Sequence, residues 1–244
     1  MADGDAAKQA EARLGRRKTI IALVILLVPL LLFLLLRFTK QNYKTLPIMG
    51  AREARAAGDT VYHSLPVFAL INQDDKPFTQ DSLRGRMHVA DFFFTTCPSI
   101  CKKLTSAMAE VQREVTYAYQ QAGDVRLVSY SIDPKRDSTS ALRAYAKRYG
   151  QVPGLWTFVT GDRQAIFSLL EKGYLVPVAD DVKGGEDGFF HSNLLLLVDP
   201  DLRLRGIYNA VHDGEVDKAE MKRLAEEIKV LRHEYREKGV FKKK

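Results

Sequence analysis

The two cysteines of the chain stand close together, as Cys97 and Cys101 in the segment DFFFTTCPSICKKL. Residues four apart share one face of a helix, with β-carbons about 5–6 Å apart. A disulfide needs about 3.5–4.5 Å, so this spacing permits a disulfide without requiring one and leaves room for a metal ion between the sulfurs. The start of a helix favours thiolate over thiol, so we expect sulfurs that ionise readily. Thiolates select soft ions such as copper(I) and zinc. The pair therefore predicts redox or soft-metal chemistry, with a purely structural disulfide as the alternative.

His191 is the histidine best placed to complete a metal site. It lies just before a predicted strand at 194–199. A strand antiparallel to the cysteine-bearing strand starts at the edge of the sheet where that strand ends. We therefore expect His191 near Cys97 and Cys101, as a nitrogen ligand beside two sulfurs. A structural histidine is the alternative. The other histidines are less suitably placed: His63, His88, His212 and His233.

Two acidic residues follow another predicted strand, in the segment SIDPKRD: Asp133 and Asp137. Their strand ends at the same edge of the sheet as the cysteine-bearing strand. We predict hydrogen-bond partners for the metal ligands here, with Asp133 also considered as a fourth, harder ligand that would suit copper(II). The alternative is a turn followed by a helix cap, because Asp-Pro and Asp-Ser are common in such turns.

Strand and helix signals alternate through the part of the chain that carries these residues. Apolar, β-prone segments predict strands at 67–72, 88–95, 125–132, 155–161, 194–199 and 203–209. Capping residues and glycines predict helices at about 99–121, 138–150, 162–173 and 217–238. From residue 88 the order is β-α-β-α-β-α-β-β-α, which predicts a mainly parallel sheet covered on both faces. A closing hairpin and a terminal helix make the predicted class α/β, a thioredoxin-like fold with an N-terminal transmembrane helix.

The N-terminal part predicts a membrane anchor. Ile20–Leu36 is an unbroken run of 17 apolar residues, about 25 Å long as a helix and near the lower limit for crossing a bilayer. The run exceeds the usual core of a signal peptide, and no small-residue cleavage site follows, so we favour an uncleaved anchor. Lys and Arg are equally frequent on its two sides, and the tight Arg16–Lys18 cluster mildly favours an N-terminus inside. We expect a single-pass protein of the bacterial inner membrane whose soluble domain faces the periplasm.

Length and composition agree with one folded domain carrying extensions. The predicted organisation is a tail (1–18), a transmembrane anchor (19–38), a linker (39–60), a thioredoxin-like domain (61–238) and a basic tail (239–244). The chain has 244 residues, 46% hydrophobic and 27% charged, which excludes wholesale disorder. The net charge of +7 arises at the two ends, so it gives no indication of nucleic-acid binding. Two cysteines are too few for a four-cysteine zinc site or an iron–sulfur cluster.

Three motifs taken together resemble the Sco/SenC family of membrane-anchored, thioredoxin-like copper proteins. They are FFTTCPSIC, SIDPKRDS and HSNLLLLVDP, and the resemblance covers roughly residues 61–235. The family pattern places its copper-binding cysteines at Cys97 and Cys101, its copper-binding histidine at His191, and its acidic motif at Asp133 and Asp137. The resemblance implies a copper metallochaperone that assists assembly of the dinuclear copper centre of cytochrome c oxidase, with subunit II as the recipient. A solvent-exposed site would pass the copper on by ligand exchange.

The main alternative is a membrane-anchored thiol–disulfide oxidoreductase. In that role Cys97 would attack a partner disulfide and Cys101 would resolve the mixed disulfide. Lys102 and Lys103 follow the second cysteine, where the family often has a proline, and they would favour thiolates in either role. A thioredoxin-like peroxidase is disfavoured because no arginine lies close to the cysteines in sequence. A copper or redox sensor is not separated from the chaperone by the sequence.

Overall fold

The structure is a computed structural model that describes residues 23–25, 27–29, 31, 45–54, 60–119, 123–177 and 192–241. The chain divides into two compact units, residues 1–43 and 44–244. In the first unit the described residues are helical, and apolar side chains such as Leu23 and Leu31 are exposed. Across the described ranges, no helix is both long and apolar enough to span a bilayer. Most of the predicted anchor at 19–38 lies outside those ranges.

The second unit contains alternating strands and helices followed by a hairpin and a long helix. The strands are Arg52–Ala54 (β1), Thr60–Tyr62 (β2), Ala69–Asn72 (β3), Pro77–Thr79 (β4), Met87–Phe93 (β5), Val125–Ser131 (β6), Trp156–Thr160 (β7), Leu194–Val198 (β8), Leu204–Asn209 (β9), Val211–His212 (β10) and Glu215–Val216 (β11). The helices are Ile100–Tyr119 (α1), Thr139–Arg148 (α2), Arg163–Ser168 (α3), which a π-helical turn continues over Leu169–Gly173, and Lys218–Glu237 (α4). A 3₁₀ turn, Gln80–Ser82, follows β4.

Seven strands form one sheet, in the order β4-β3-β7-β6-β5-β8-β9. The central strands β5, β6 and β7 are parallel, whereas β3 is antiparallel to β7 and β8 is antiparallel to β5. The sheet is therefore mixed, and the prediction of a mainly parallel sheet was wrong. The physical reason is that the hairpins β3–β4 and β8–β9 add antiparallel pairs on both sides of the parallel centre.

The parallel centre brings two turns together at one edge of the sheet. The register pairs Asp91 with Ser129 and Phe93 with Ser131. Because β5 and β6 point the same way, the turn that follows Phe93 and the turn that follows Ser131 lie side by side. Cys97 and Cys101 belong to the first turn and the start of its helix, so we call this side of the sheet the cysteine edge.

Aromatic packing holds β5 from both faces. Every residue from Met87 to Phe93 is buried. Successive side chains of a strand point to opposite faces. Phe92 stacks on Tyr130 with ring centroids 5.2 Å apart, whereas Phe93 lies 5.1 Å from the ring of Tyr145 in α2. Burial of each such ring contributes roughly 1.5–3 kcal/mol. The strand that leads into the cysteines is consequently fixed in position.

Arg205, in β9, binds Leu46 and Pro47 near the start of the second unit to the sheet. Its guanidinium donates to the carbonyl oxygens of Leu46 at 2.7 Å and Pro47 at 3.1 Å. It also pairs with the carboxylates of Asp199 at 2.9 Å and Glu234 at 2.6 Å. The side chains of Arg205 and Asp199 are 1% and 0% exposed. Residues 46 and 47 therefore pack against β9 and α4.

The helices and strands predicted from residue 88 onward are confirmed, with no end shifted by more than two residues when the π-helical turn is counted with α3. The prediction missed the short strands β1, β2, β4, β10 and β11. Each of these has two or three residues, too few to show the alternation of apolar and polar residues that identifies a half-buried strand.

The ion pairs of Arg205 with Asp199 and Glu234 give a test of the fold. Replacing Arg205 with Met would remove the fully buried cation that pairs with both Asp199 and Glu234, so we predict a loss of roughly 3–5 kcal/mol in the free energy of unfolding. Urea unfolding of residues 44–244 measures it. Arg203→Met is the matched control, because Arg203 is 19% exposed and also pairs with Asp199. Equal losses in the two variants would contradict this account.

Candidate dithiol site

The cysteine turn leaves β5 at Phe93 and enters α1 at Ile100. The N–H of Cys97 donates to the carbonyl oxygen of Phe94 at 3.3 Å, which closes the turn. The N–H of Cys101 donates to Sγ of Cys97 at 3.4 Å. The first N–H groups of a helix have no partner within the helix, and Cys97 supplies one. The first sulfur is thereby fixed at the start of the helix that carries the second.

Both cysteines are buried thiols, with 2% and 1% of their surface exposed. The prediction of a solvent-exposed site is therefore wrong for the sulfurs, although Thr96 and Pro98 on either side of Cys97 are exposed. Burial raises the pKa of the Cys101 thiol well above its ordinary value, and a hydrogen bond with the Cys97 side chain raises it further. The expectation that this sulfur ionises readily was wrong, because desolvation outweighs the effect of the helix N-terminus.

A hydrogen bond from within α1 holds the Cys101 carbonyl oxygen, and α2 contacts its donor. The hydroxyl of Thr105 donates to the carbonyl oxygen of Cys101 at 2.7 Å. The same hydroxyl lies 2.9 Å from the phenol oxygen of Tyr145 in α2. This contact ties the first turn of α1 to α2, and the tyrosine ring that packs on Phe93 also supports the dithiol.

Asp137 joins the two turns at the cysteine edge. Its carboxylate accepts hydrogen bonds from the backbone N–H of Thr95 at 3.0 Å, from the Thr95 hydroxyl, and from the Ser131 hydroxyl at 2.6 Å. Thr95 stands two residues before Cys97, so the carboxylate holds the turn that presents this sulfur. Burial raises the pKa of Asp137, while the donors from Ser131 and Thr95 lower it.

Asp133 and Lys103 have charged partners at this edge. The Asp133 carboxylate accepts from the guanidinium of Arg136 at 3.0 Å, and its N–H donates to the Ser131 hydroxyl at 3.1 Å. The ammonium group of Lys103 lies 2.8 Å from both carboxylate oxygens of Glu215 in β11. Lys102 is exposed. Lys103 is thus ion-paired with the hairpin β10–β11.

His191 lies outside the described residues, but the strand that follows it is placed. β8 begins at Leu194 and runs antiparallel to β5, with Ala90 opposite Leu196. The start of β8 therefore lies beside the end of β5, as the topology predicts. Ser192 is buried, and its hydroxyl accepts from the N–H of Leu194 at 3.2 Å. In the part of the chain that the structure describes, no three His, Cys, Asp or Glu side chains converge as a metal site.

Sequence reasoning missed Asp91, a buried carboxyl group in β5, the strand that leads to the cysteines. It is 0% exposed and accepts a hydrogen bond from the Ser129 hydroxyl at 2.5 Å. Its negative charge contributes to the raised pKa of Cys101. A carboxylate in the centre of the apolar strand segment HVADFFFT is itself the signal that identifies such a residue, because unpaired acidic residues are almost never fully buried.

A mixed sheet with parallel central strands and two thiols at a strand-to-helix turn defines a thioredoxin-like dithiol protein. The family model described as SCO1/SenC matches residues 58–226, and the chain belongs to this family.

Relatives and solved structures agree with this assignment. A protein of Bacillus subtilis (strain 168) named SCO1 protein homolog is 33% identical over 161 residues, which cover 65% of this chain and 80% of that protein. The structure of BsSco, described as a member of the Sco family of cytochrome c oxidase assembly proteins with a disulfide switch, has 28% identity and a TM-score of 0.57, covering 68% of this chain and 92% of that one. The structure of Arabidopsis thaliana ScoI with copper bound has 26% identity and a TM-score of 0.54, covering 67% and 97%.

The Asp137 hydrogen bonds can be tested by removing their acceptor. Asp137→Ala would leave three donors of the partly buried Thr95 and the buried Ser131 without this acceptor, so we predict a loss of roughly 2 kcal/mol in the free energy of unfolding. Hydrogen exchange at the Thr95 amide should also accelerate. Asp133→Ala, which breaks an ion pair with the half-exposed Arg136, should cost about 1 kcal/mol or less. Unchanged protection of the Thr95 amide in Asp137→Ala would refute the contact.

Asp91 predicts a pH dependence of stability. Burial raises the pKa of its carboxyl group from 3.8 to about 7. The unfolded chain therefore loses the proton at lower pH than the folded chain, and the free energy of unfolding falls as pH rises from about 4 to about 7, by up to ~1.4 kcal/mol per pH unit. Asp91→Asn should flatten this slope, as measured by urea unfolding at several pH values. Parallel curves for the two proteins would contradict the prediction.

Proposed function

We propose that this protein is a membrane-anchored copper metallochaperone that binds one copper ion through Cys97, Cys101 and His191. Its task is to supply copper to the dinuclear centre of cytochrome c oxidase, with subunit II as the recipient. The observation that carries the proposal is the pair of hydrogen-bonded thiols at the cysteine edge of a Sco/SenC fold.

The donor set fits copper(I). Two sulfurs at the start of one helix are soft ligands, which copper(I) prefers over oxygen donors. The Cys101 thiol is hydrogen-bonded with the Cys97 side chain, so the two sulfurs lie close together. A copper-bound structure exists for a protein with which this chain shares 26% identity. The fit rests on the chemistry and proximity of the sulfurs.

Chain connectivity supports His191 as the third ligand. Its α-carbon is one peptide unit, about 3.8 Å, from that of Ser192, and Ser192 precedes the strand that starts at the cysteine edge. Asp137 would act on the site through Thr95, by holding the turn before Cys97, because its oxygens are already occupied by three donors. Asp133 would act through the Ser131 hydroxyl, to which its N–H donates and which itself donates to Asp137.

Burial of the sulfurs bears on how copper would be delivered. A buried thiolate pair retains its ion until a partner ligand approaches, because release into water is unfavourable for a soft ion held by sulfur. Thr96, Pro98 and Lys102 form the exposed surface around the pair, and a recipient cysteine would enter there. Each ligand of the chain would then be replaced in turn by a ligand of the recipient.

Membrane attachment follows from the apolar run at 20–36 in the sequence. A single span would hold the second unit at the surface of the bacterial inner membrane, on the periplasmic side. This location suits a recipient that is itself embedded in that membrane.

A thiol–disulfide oxidoreductase is the second candidate function. The observation that favours it is the hydrogen bond between the two thiols, since a small approach brings the sulfurs to bonding distance and their two electrons and two protons can pass to a partner disulfide, which is reduced to two thiols. A disulfide switch is described for the related BsSco. In this role the dithiol would reduce the disulfide of the copper recipient before copper is delivered.

The proposed function is tested by anaerobic copper(I) titration of the reduced second unit. We expect one tight equivalent in the wild type, marked weakening in His191→Ala, and loss of tight binding in Cys97→Ser and Cys101→Ser. His212→Ala is the matched control, because His212 is 67% exposed on β10. Asp137→Asn should weaken binding by roughly 10–100-fold through loss of positioning.

Two results would change the assignment. Tight binding that is unaffected by His191→Ala would mean that two thiolates suffice and that the third ligand is wrong. No tight binding in the wild type, together with a readily cycled Cys97–Cys101 disulfide, would favour the oxidoreductase.

A further inference from the structure

A group of arginines lies at the edge of the sheet opposite the cysteine edge. Arg86 directly precedes β5, and Arg126 is the second residue of β6, which runs parallel to and in register with β5. Arg236 lies one helical turn beyond Arg232 in α4, and Arg232 pairs at 2.8 Å with Asp124, just before β6. The starts of two strands and the end of one helix therefore bring three arginines to one side of the second unit. We call Arg86, Arg126 and Arg236 the basic edge.

The positive charge of the basic edge is not balanced by the described residues. In those ranges none of the three guanidinium groups has an ion-pair or hydrogen-bond partner, and the nearby carboxylate of Asp124 pairs with Arg232. Nε of Arg236 is buried and has no partner there. Arg126 is half-buried, and burial lowers the pKa of its guanidinium, with the charge of Arg86 lowering it further. An anion bound at the basic edge would stabilise these cations and supply acceptors for their N–H groups.

Apolar side chains lie around these charges and favour a lipid over a free ion. Tyr117, in the last turn of α1, is 89% exposed, and Val152, in the turn before β7, is 39% exposed. A cavity of about 330 Å³ beside Arg126 has Val115, Val152 and Pro153 in its wall. Tyrosine and arginine are suited to a membrane interface, where an apolar body and a polar tip meet apolar and charged parts of the lipid.

The chain enters the second unit at this same edge. Arg205, near the start of β9, binds the carbonyl oxygens of Leu46 and Pro47. Since β8 is antiparallel to both β5 and β9, these two strands run the same way and start at the same edge. The apolar run at 20–36 ends ten residues before Leu46 in the sequence. The basic edge is therefore on the side from which the chain leads to the proposed anchor.

We propose that the basic edge binds the phosphate groups of anionic phospholipids in the membrane that carries the anchor. The inference rests on the proposed membrane attachment and not on the copper site. Arginine pairs with phosphate oxygens through two parallel N–H groups. The seven residues of β5 separate the two edges by about 23 Å at a rise of roughly 3.3 Å per residue. Lipid contact at the basic edge would thus direct the cysteine edge away from the bilayer, toward a recipient domain in water.

Arginine-selective labelling of the full-length protein in nanodiscs tests the proposal. Phenylglyoxal modifies accessible guanidinium groups, and mass spectrometry gives the rate at each arginine. We compare nanodiscs of phosphatidylcholine alone with nanodiscs of phosphatidylcholine and phosphatidylglycerol in equal parts. In the anionic nanodiscs we expect Arg86 and Arg126 to be labelled at least about fivefold more slowly. Arg136, half-exposed beside the cysteine edge, is the internal reference and should be labelled at one rate in both.

Two variants and a free anion complete the experiment. Arg86→Gln should weaken the protection of Arg126 in the anionic nanodiscs, because one of the cations that hold the lipid is gone. Lys102→Gln is the matched control, since it removes an exposed charge at the cysteine edge and should leave that protection unchanged. Inorganic phosphate added to the phosphatidylcholine nanodiscs should give no protection.

Equal labelling of Arg126 in the two kinds of nanodisc would overturn the proposal without bearing on copper binding. Protection by inorganic phosphate to the same extent as by phosphatidylglycerol would mean that the surface takes a free anion, and it would also overturn the proposal. A wild-type protein that does not remain with either kind of nanodisc would instead contradict the proposed anchor and, with it, this inference.

Discussion

The hydrogen bonds of Asp137 are the constraint on which the geometry of the site depends. They join the end of β5 to the end of β6, because Thr95 belongs to the turn after β5 and Ser131 is the last residue of β6. The parallel register of the two strands brings these ends level, and aromatic packing on both faces prevents them from shifting. The positions of Cys97, of the start of α1 and therefore of Cys101 all follow from this junction.

Burial of the cysteines then determines how readily their thiols lose a proton. Sulfurs at an exposed helix start would be reactive thiolates, whereas here desolvation keeps Cys101 protonated until something displaces the proton. The two buried carboxyl groups differ in the same environment. Asp137 is surrounded by donors and acts as a fixed hydrogen-bond acceptor, while Asp91 has a vacant acceptor oxygen. Asp137 therefore holds the turn before Cys97, whereas burial raises the pKa of Asp91.

Sequence reasoning identified the elements that have a strong periodic pattern and the side chains at their ends. The central strands, the four helices and the closing hairpin could be predicted because their apolar patterns are long and their caps, such as Asp162 and Asp217, are clear. Burial of the cysteines could not be predicted, because exposure depends on what packs over the turn. Asp91 could have been recognised as an acidic residue in an apolar strand, but its neighbour Ser129 is revealed only by the strand register. The position of His191 beside the cysteines stays a prediction.

The central claim is that copper is held by the two sulfurs of Cys97 and Cys101 together with one nitrogen of His191. X-ray absorption spectroscopy of the copper(I)-loaded protein tests it most directly, because it reports which elements surround the metal. The account predicts two sulfur neighbours and one nitrogen neighbour in the wild type, with loss of the nitrogen in His191→Ala. A first shell without sulfur, or one that is identical in the two proteins, would contradict it.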